Sequence, residues 1–327
     1  MYLTRTPLRI SLFGGGTDYA EYFEREPGAV VGMAIDKYIN IAAIKLTQLQ
    51  DYKYRLSYSK LEMVQEIADL RHPVVRETLL WHGHTCPLDI SIMSDLPASG
   101  SGLGSSSSFT VGLLNLLNHI HEKPCTKIDL AKSAIHIERT VLQENGGIQD
   151  QMHAAFGGIN RFDFSKDKCQ ITPLQLSGET LKSLNQSLML VHTGIIRSSS
   201  DTAKEQREIT KKKQIDQDLS ELYKYVDDCV SILEGGGANC FADLGELLNE
   251  SWKIKRSLSK SITNSAIDEL YKIIMAAGAY GAKLCGAGGG GYFAVLIDPD
   301  KKATLSNAVH PLSSIEVQID VLGSQIL

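Results

Sequence analysis

The sequence lacks the features that would tie this chain to a membrane or to nucleic acid. No apolar run in its 327 residues is long enough to cross a bilayer, because charged residues or glycines interrupt every candidate. The formal net charge of −5 gives no general attraction to nucleic acid, and the tightest basic run, Lys211 to Lys213, is typical of a solvated helix face. We therefore expect no membrane and no nucleic acid among its partners.

Paired cysteines and an export signal are also missing. The six cysteines contain no CxxC pair and no spacing typical of a zinc site. The N-terminal segment MYLTRTPLRISLFGGG has too short an apolar run for a signal peptide and no small-residue cleavage site. Free thiols are typical of a reducing compartment, so the sequence predicts a cytoplasmic protein.

The pattern of residues changes along the chain from strand-like to helical. The first hundred residues carry five strand-like segments, RISLF, AVVGMAI, YINIAAIKL, YKYRLSY and LDISIM, whereas residues 199 to about 278 have the pattern of charged helices. Strands followed by helices, without regular alternation, predict an α+β fold. We place the boundary between two lobes near residue 190, giving segments 1–190 and 191–327.

Glycine is concentrated in three loops, Gly14 to Gly16, Gly100 to Gly104 and Gly286 to Gly291. The middle loop, PASGSGLGSSSS, runs directly into a segment with helical periodicity. Small residues before a helix leave backbone N–H groups free, which favours phosphate binding, and a serine can cap the helix. A flexible loop with a serine cap is the alternative. The loop is not a P-loop, because no lysine follows its glycines.

The third glycine loop matches the dinucleotide-binding pattern GxGxxG only by its letters. That pattern needs a strand before it and a helix after it. Here the sequence predicts a helix before the loop and the strand GYFAVLI after it. The context excludes a dehydrogenase.

Two acidic residues lie between the second and third loops. Glu138 falls in a predicted helix, Ile128 to Leu142, and Asp150 follows twelve residues later in a predicted turn. Two carboxylates on different elements can serve one phosphate site, one through a magnesium ion and one by orienting or deprotonating the nucleophile. The alternatives are a surface glutamate beside Arg139 and a turn-forming aspartate.

Three segments together resemble the motifs of the GHMP kinases, the superfamily of galactokinase, homoserine kinase and mevalonate kinase. They are TPLRISLFGGGTDY (6–19), LPASGSGLGSSSS (96–108) and KLCGAGGGGYF (283–293), in the order of the superfamily. The resemblance implies a two-lobed fold with an N-terminal mixed α+β lobe, a C-terminal ferredoxin-like lobe and the active site in the cleft. It also implies a kinase that uses ATP and Mg²⁺.

The resemblance implies roles for individual residues. Asp150 would lie beside the attacking hydroxyl with Arg9 near the reacting oxygen, and Ser106 with Glu138 would bind Mg²⁺. The implied ATP contacts are Pro97, Ser99, Gly100, Ser101, Gly102, Leu103, Gly104, Ser105 and Ser106. The implied substrate contacts are Gly15, Gly16, Thr17, Asp18, Tyr19, Arg197, Gly288 and Gly289.

The Thr17-Asp18-Tyr19 triplet resembles that of the sugar kinases, since an aspartate can accept hydrogen bonds from two sugar hydroxyls. Galactokinase carries Glu-His before this triplet, where this chain has Gly15 and Gly16. Four segments together most resemble the D-glycero-D-manno-heptose 7-phosphate kinases: FGGGTDY (13–19), ENGGIQDQ (144–151), HTGIIRSSS (192–200) and KLCGAGGGGYF (283–293). This resemblance implies a sugar or sugar-phosphate substrate phosphorylated at C1.

Other sugars of the fucose or galactose type, a non-catalytic ATP- and sugar-binding sensor and an ATP-dependent decarboxylase are the alternatives. Asp18 in the sugar-type triplet counts against the decarboxylase, and Glu138 with Asp150 counts against the sensor. The sequence leaves both a monomer and a homodimer open.

Overall fold

A computed structural model describes residues 1–47, 49–97, 100–166, 168–195 and 199–327. Within these ranges the strands are β1 (Tyr2–Phe13), β2 (Gly28–Lys45), β3 (Tyr54–Ser57), β4 (Leu61–Val64), β5 (Leu88–Ser94), β6 (Ile159–Ser165), β7 (Lys168–Pro173), β8 (Leu188–His192), β9 (Ala279–Leu284), β10 (Tyr292–Ile297), β11 (Ser314–Glu316) and β12 (Gln325–Ile326). The helices are α1 (Ala20–Phe23), α2 (Pro73–His82), α3 (Ser105–Ile120), α4 (Lys127–His136), α5 (Gln149–Phe156), α6 (Gly178–Ser187), α7 (Ser199–Lys211), α8 (Asp216–Gly235), α9 (Cys240–Ser257), α10 (Ser265–Ala276) and α11 (Lys302–Val309). A π-helical turn, Ile137–Val141, extends α4.

The first sheet is organised around β2, which is 18 residues long. The order of the sheet is β12-β1-β2-β5-β3-β4, and β6 with β7 is added on the same side of β2 as β5. Residues 28–33 of β2 pair with β6, and residues 39–45 pair with β5. The segments AVVGMAI and YINIAAIKL, expected as separate strands, are therefore one strand that bridges two partners.

The second sheet has the order β11-β8-β10-β9, with antiparallel pairing throughout its described strands. Its face carries the apolar side of the helices α9 and α10. Trp252 of α9 is fully buried and meets the Phe293 ring of β10 edge-on at a centroid distance of 5.9 Å. Two sheets covered by helices confirm the predicted α+β fold. No helix in the described ranges is long and apolar enough to span a membrane.

Helix α3 lies buried against the first sheet, where it contacts β1 and β2. Its residues Leu113, Leu116 and Leu117 are completely buried, as the helical spacing of apolar residues predicted. Because the phosphate-type glycine loop leads into this helix, the buried face fixes where the helix begins. Val226 and Leu233 of α8 belong to the same core. The helix α8, from the helical second half of the chain, therefore also packs onto β1 and β2.

His153, in α5, is a buried histidine whose ring nitrogens have no hydrogen-bond partner among the described residues. Its ring meets Phe162 edge-on at 4.7 Å and lies against the backbone of Gly32. Burial, with a smaller contribution from the charge of Arg9, lowers the pKa of His153 to about 3. The folded protein therefore keeps this imidazole neutral at pH values where an unfolded chain protonates it.

We expect acid to destabilise the fold through His153. In the unfolded chain this histidine binds a proton near pH 6.5. The contribution of the neutral His153 to the free energy of unfolding is therefore complete above pH 6.5 and is lost as the pH falls toward 3. His153→Phe should reduce the loss of unfolding free energy by up to about 1.4 kcal/mol per pH unit across this window. Urea unfolding between pH 7 and 4.5 measures the slope. His119→Phe, at an exposed position, is the control and should keep the wild-type slope. Identical slopes for all three proteins would contradict this account.

Candidate active site

An arginine–aspartate pair joins β1 to α5 at the centre of the site. The Arg9 Nε donates to Asp150 Oδ1 at 2.8 Å, and Nη2 donates to Oδ2 at 2.9 Å. The third donor, Nη1, binds the carbonyl oxygen of Gly102 at 2.6 Å. Arg9 is 4% exposed, so this fork is held in one orientation. The two residues predicted to act on the reacting oxygen therefore lie in direct contact.

Asp150 lies in the first helical turn of α5, whereas the sequence predicted a loop turn at this residue. The difference matters chemically, because a helix N-terminus favours a carboxylate through its dipole. The helix also presents Gln149, beside Asp150, to the same space. The carboxylate is thus fixed by a helix, by a bidentate guanidinium and by the sheet that carries that guanidinium.

The middle glycine loop lies directly beneath this pair. Its Leu103 carbonyl accepts a hydrogen bond from the Arg9 backbone N–H at 2.9 Å, so the loop is attached to β1. The N-cap of α3 is Gly104, which offers no side-chain cap, whereas the sequence predicted a serine in this role. The first N–H groups of α3 are therefore free of a side-chain cap, which is the arrangement that binds phosphate.

The third glycine loop abuts the middle one. It connects β9 to β10 in an antiparallel hairpin, so a strand precedes the loop, where the sequence analysis expected a helix. A Cβ atom on Gly102, whose φ is +72°, would lie 2.5 Å from the Cys285 carbonyl oxygen. The Tyr292 N–H donates to the Ser101 carbonyl at 3.2 Å. The two loops therefore meet backbone to backbone, and a side chain at Gly102 would separate them.

Asp18 forms the opposite wall and is 1% exposed. Its Oδ1 accepts from the Gly16 N–H at 3.0 Å, and Oδ2 accepts from the Gln149 N–H at 3.2 Å. Gly147 comes so close that a Cβ there would lie 1.9 Å from Oδ2. Burial raises the pKa of this carboxyl, and the two backbone donors oppose that rise. Tyr19 lies beside it in the same wall, and burial raises the pKa of its phenol.

Glu138 is buried behind the first turn of α3. Its Oε2 accepts from Ser107 Oγ at 2.8 Å and from Gln151 Nε2 at 2.6 Å, whereas Oε1 has no hydrogen-bond partner among the described residues. Burial, with a smaller contribution from Glu144, raises the pKa of Glu138 to about 8. A buried carboxylate oxygen without a donor is the kind of group that a divalent cation satisfies.

These elements line an open cleft with a volume of about 190 Å³. Its described lining includes the predicted residues Arg9, Gly15, Gly16, Asp18, Tyr19, Gly100, Ser101, Gly102, Gly104, Ser105, Ser106 and Asp150. The second half of the chain contributes Gly286 and Ala287 of the third glycine loop, together with Ala203, Gln206 and Lys255, which sequence reasoning missed. A helical segment such as α7 or α9 carries no local signal that one of its polar residues will face a distant loop.

Other predicted residues are not part of the described lining of this cleft. The Thr17 hydroxyl binds the carbonyl oxygens of Gly14 and Ala29, which closes the first glycine turn. Gly288 and Gly289 pack against Ile262. The remaining four positions divide into two groups. Pro97 is exposed and Leu103 is buried under the loop, while Ser99 and Arg197 lie outside the described residues.

Within the described ranges, no group of three or more histidine, cysteine, aspartate or glutamate residues could hold a metal ion by itself. A cation here would need further oxygen ligands besides Glu138 and the hydroxyl of Ser106. Magnesium at phosphoryl-transfer sites is commonly held by one or two protein groups together with substrate phosphates. The unpartnered Oε1 of Glu138 fits such an ion, and the hydroxyl in contact with Glu138 is that of Ser107.

Comparison with known proteins matches both halves of the chain to one family. The profile of the GHMP kinases N terminal domain matches residues 61–158, and that of the GHMP kinases C terminal matches residues 220–311. The D-glycero-alpha-D-manno-heptose 7-phosphate kinase of Campylobacter jejuni is 31% identical over 316 residues, covering 94% of this chain and 92% of the relative. The galactokinase of Pyrococcus furiosus is 29% identical over 93% of this chain and 91% of that enzyme.

Solved structures have the same fold. The crystal structure of a D-glycero-D-manno-heptose 1-phosphate kinase from Bacteroides thetaiotaomicron superimposes with a TM-score of 0.81 at 20% identity, covering 100% of this chain and 99% of the other. The Lactococcus lactis galactokinase complexed with galactose gives a TM-score of 0.72 at 20% identity, covering 100% and 94%. The chain belongs to the GHMP kinase family. It is an ATP-dependent sugar kinase with the two-lobed fold of that family.

The contact between the two glycine loops can be tested at Gly102. Gly102→Ala places a methyl group against the Cys285 carbonyl and requires a positive φ, so we expect a loss of unfolding free energy of about 1–3 kcal/mol. ATP affinity should fall as well, because the loops move apart. Chemical denaturation and calorimetric titration with ATP measure the two effects. Gly178→Ala, at a position with open space around it, is the control. Equal behaviour of the two variants would rule out a tight loop contact.

Proposed function

We propose that this kinase transfers the γ-phosphate of ATP to the anomeric C1 hydroxyl of D-glycero-D-manno-heptose 7-phosphate, giving the 1,7-bisphosphate. The main structural support for phosphoryl transfer is the bidentate contact between Arg9 and Asp150. This pair lines the same cleft as the middle glycine loop, where phosphate could bind, and as Asp18 on the opposite wall. The choice of sugar is supported by the heptose 7-phosphate kinase relative at 31% identity.

In the proposed reaction Asp150 accepts the hydrogen bond of the sugar hydroxyl and orients its oxygen toward the γ-phosphorus. As the new P–O bond forms, the bond to the bridging oxygen of ADP breaks and the hydroxyl proton passes to Asp150. Arg9 keeps the carboxylate in place and adds a fixed positive charge next to the transferred group. Phosphoryl transfer depends mostly on such positioning and electrostatics.

The nucleotide phosphates would lie along Gly102 to Ser106, on the free N–H groups at the start of α3. Ser106 and Glu138 would hold Mg²⁺, which supplies neutralisation of phosphate charge when bound. The unpartnered Oε1 of Glu138 supports this assignment. A bound cation would oppose the effect of burial on the pKa of Glu138 and favour its ionised form.

The sugar would lie against Asp18 and Tyr19, with Gly15 and Gly16 leaving room where galactokinase has larger side chains. Each oxygen of Asp18 accepts one backbone hydrogen bond and retains capacity for a sugar hydroxyl. Gly288, Gly289 and Arg197 stay assigned to substrate binding as sequence predictions only.

We also propose a lobe boundary near residue 190 and a cytoplasmic location. The boundary is supported by β8 (Leu188–His192), which lies in the second sheet, although β12 returns to the first. The location is supported by the six free cysteines.

Asp150→Asn should lower turnover about 100- to 10,000-fold while ATP affinity changes little, because the amide keeps the shape and loses the basic oxygen. Coupled ADP detection and calorimetry measure the two quantities. Asp89→Asn is the matched control, since Asp89 forms a similar contact with Arg55 away from the cleft. Near-normal turnover in Asp150→Asn would refute the assigned role.

The substrate assignment predicts that heptose 7-phosphate reacts at C1 far faster than unphosphorylated heptose or galactose. The terminal phosphate should contribute binding energy that orients the sugar, so its removal should reduce turnover as well as affinity. Side-by-side initial rates and NMR of the products test this, and Arg197→Ala should narrow the difference between the two heptoses. Equal rates, or phosphate on a carbon other than C1, would exclude the substrate and leave the kinase activity standing.

A further inference from the structure

Lys255, in the last turn of α9, is a cation in the cleft to which neither the motifs nor the family resemblance gave a role. It lines the cleft together with Arg9, Asp18 and Asp150. Its ammonium donates to the carbonyl oxygens of Leu284, at 3.2 Å, and Gly286. It therefore enters from the second lobe, whereas Arg9 enters from the first.

The two cations hold the two glycine loops at the point where the loops touch. Arg9 binds the Gly102 carbonyl and Lys255 binds the Gly286 carbonyl. A Cβ atom on Gly286 would lie 2.5 Å from the Cα atom of Gly102, so the two backbones are in contact there. Each of the two loops is thus bound by one cation at the junction.

The ammonium of Lys255 has no carboxylate within 4.0 Å among the described residues. Burial, with a smaller contribution from the charge of Arg9, lowers the pKa of Lys255 to about 8, and Cys285, Asp18 and Asp150 oppose this shift. At pH 7 the group is therefore still mostly protonated. A partly buried cation that contacts only carbonyl oxygens is stabilised further by an anion in the adjoining cleft.

A second lysine nearby does not share this position. Lys283 is 3% exposed, does not belong to the cleft lining, and donates to the carbonyl oxygen of Leu12. Burial, with a smaller contribution from Lys255, lowers its pKa well below the ordinary value. Lys283 therefore links β9 to β1. Among the described residues, Lys255 is the lysine that lines the cleft.

We propose that Lys255 binds the γ-phosphate of ATP and stays in contact with it during transfer, from the side opposite Arg9. The position beside Gly286, on the phosphate-loop side of the cleft, favours the nucleotide over the sugar. A lysine contributes a compact point charge, which suits phosphate oxygens whose positions shift as the phosphorus moves between two oxygens. Lys255 forms no covalent bond and moves no proton in this step.

The inference rests on the proposed γ-phosphate transfer but not on the identity of the sugar. Because ADP lacks the γ-phosphate, loss of Lys255 should weaken ATP binding much more than ADP binding. A lysine that only held the loop at Gly286 would affect both nucleotides alike.

The test is calorimetric titration of Lys255→Met with ATP and with ADP, beside turnover on heptose 7-phosphate. We expect the Kd of ATP to rise at least about tenfold, the Kd of ADP to change less than about threefold, and kcat to fall at least about 100-fold. Lys253→Met is the matched control, because Lys253 lies on the same helix, is 65% exposed and pairs with Glu250. It should leave all three quantities unchanged.

Equal weakening of ATP and ADP, or no weakening of either, would overturn the inference. Lys255→Gln is measured in parallel, so that a folding defect in the methionine variant does not decide the result, and it should give the same selective loss. If wild type fails to phosphorylate heptose 7-phosphate but the loss remains selective for ATP, the sugar assignment is wrong and the role of Lys255 stands. If wild type phosphorylates heptose 7-phosphate but the variant loses affinity for ATP and ADP alike, the sugar assignment stands and the proposed role of Lys255 is wrong.

Discussion

The bidentate contact between Arg9 and Asp150 is the interaction on which the rest of the site depends. It joins a strand of the first sheet to the first turn of α5 and, through the third arginine donor, to the carbonyl of Gly102. Breaking one partner would leave a charge with little access to water, which is more costly than losing an exposed ion pair. The same fork sets the position of a carboxylate, of a positive charge and of the phosphate-type loop.

The second constraint is the backbone contact between the middle and third glycine loops. The loops belong to different sheets, and they touch because neither carries a Cβ atom at the junction of Gly102 and Gly286. The cleft is thereby built from both lobes at once. Arg9 reaches the cleft from one lobe and Lys255 from the other, so the relative position of the lobes sets both charges in the reaction that we propose.

Sequence reasoning identified the elements whose signal is local. The apolar spacing of α3, the glycine loops and the helical character of residues 199 to about 278 followed from periodicity and composition. It failed where tertiary pairing decides the structure: AYGAKL, in β9, is rich in small residues of low strand propensity and becomes a strand only by pairing with β10. The start of α5 at Gln149 lacks a side-chain cap, which removed the usual helix signal before Asp150. Lys255 could not be found, because its helix carries an ordinary charged pattern.

The central claim is that Arg9 and Asp150 act as one unit in the transfer step. A double-mutant cycle of Arg9→Met and Asp150→Asn, read as kcat with ATP and heptose 7-phosphate, measures this most directly. The account predicts a coupling of at least about 2 kcal/mol, so that the double variant is about as slow as the slower single variant. Independent effects, in which the two losses multiply, would contradict it.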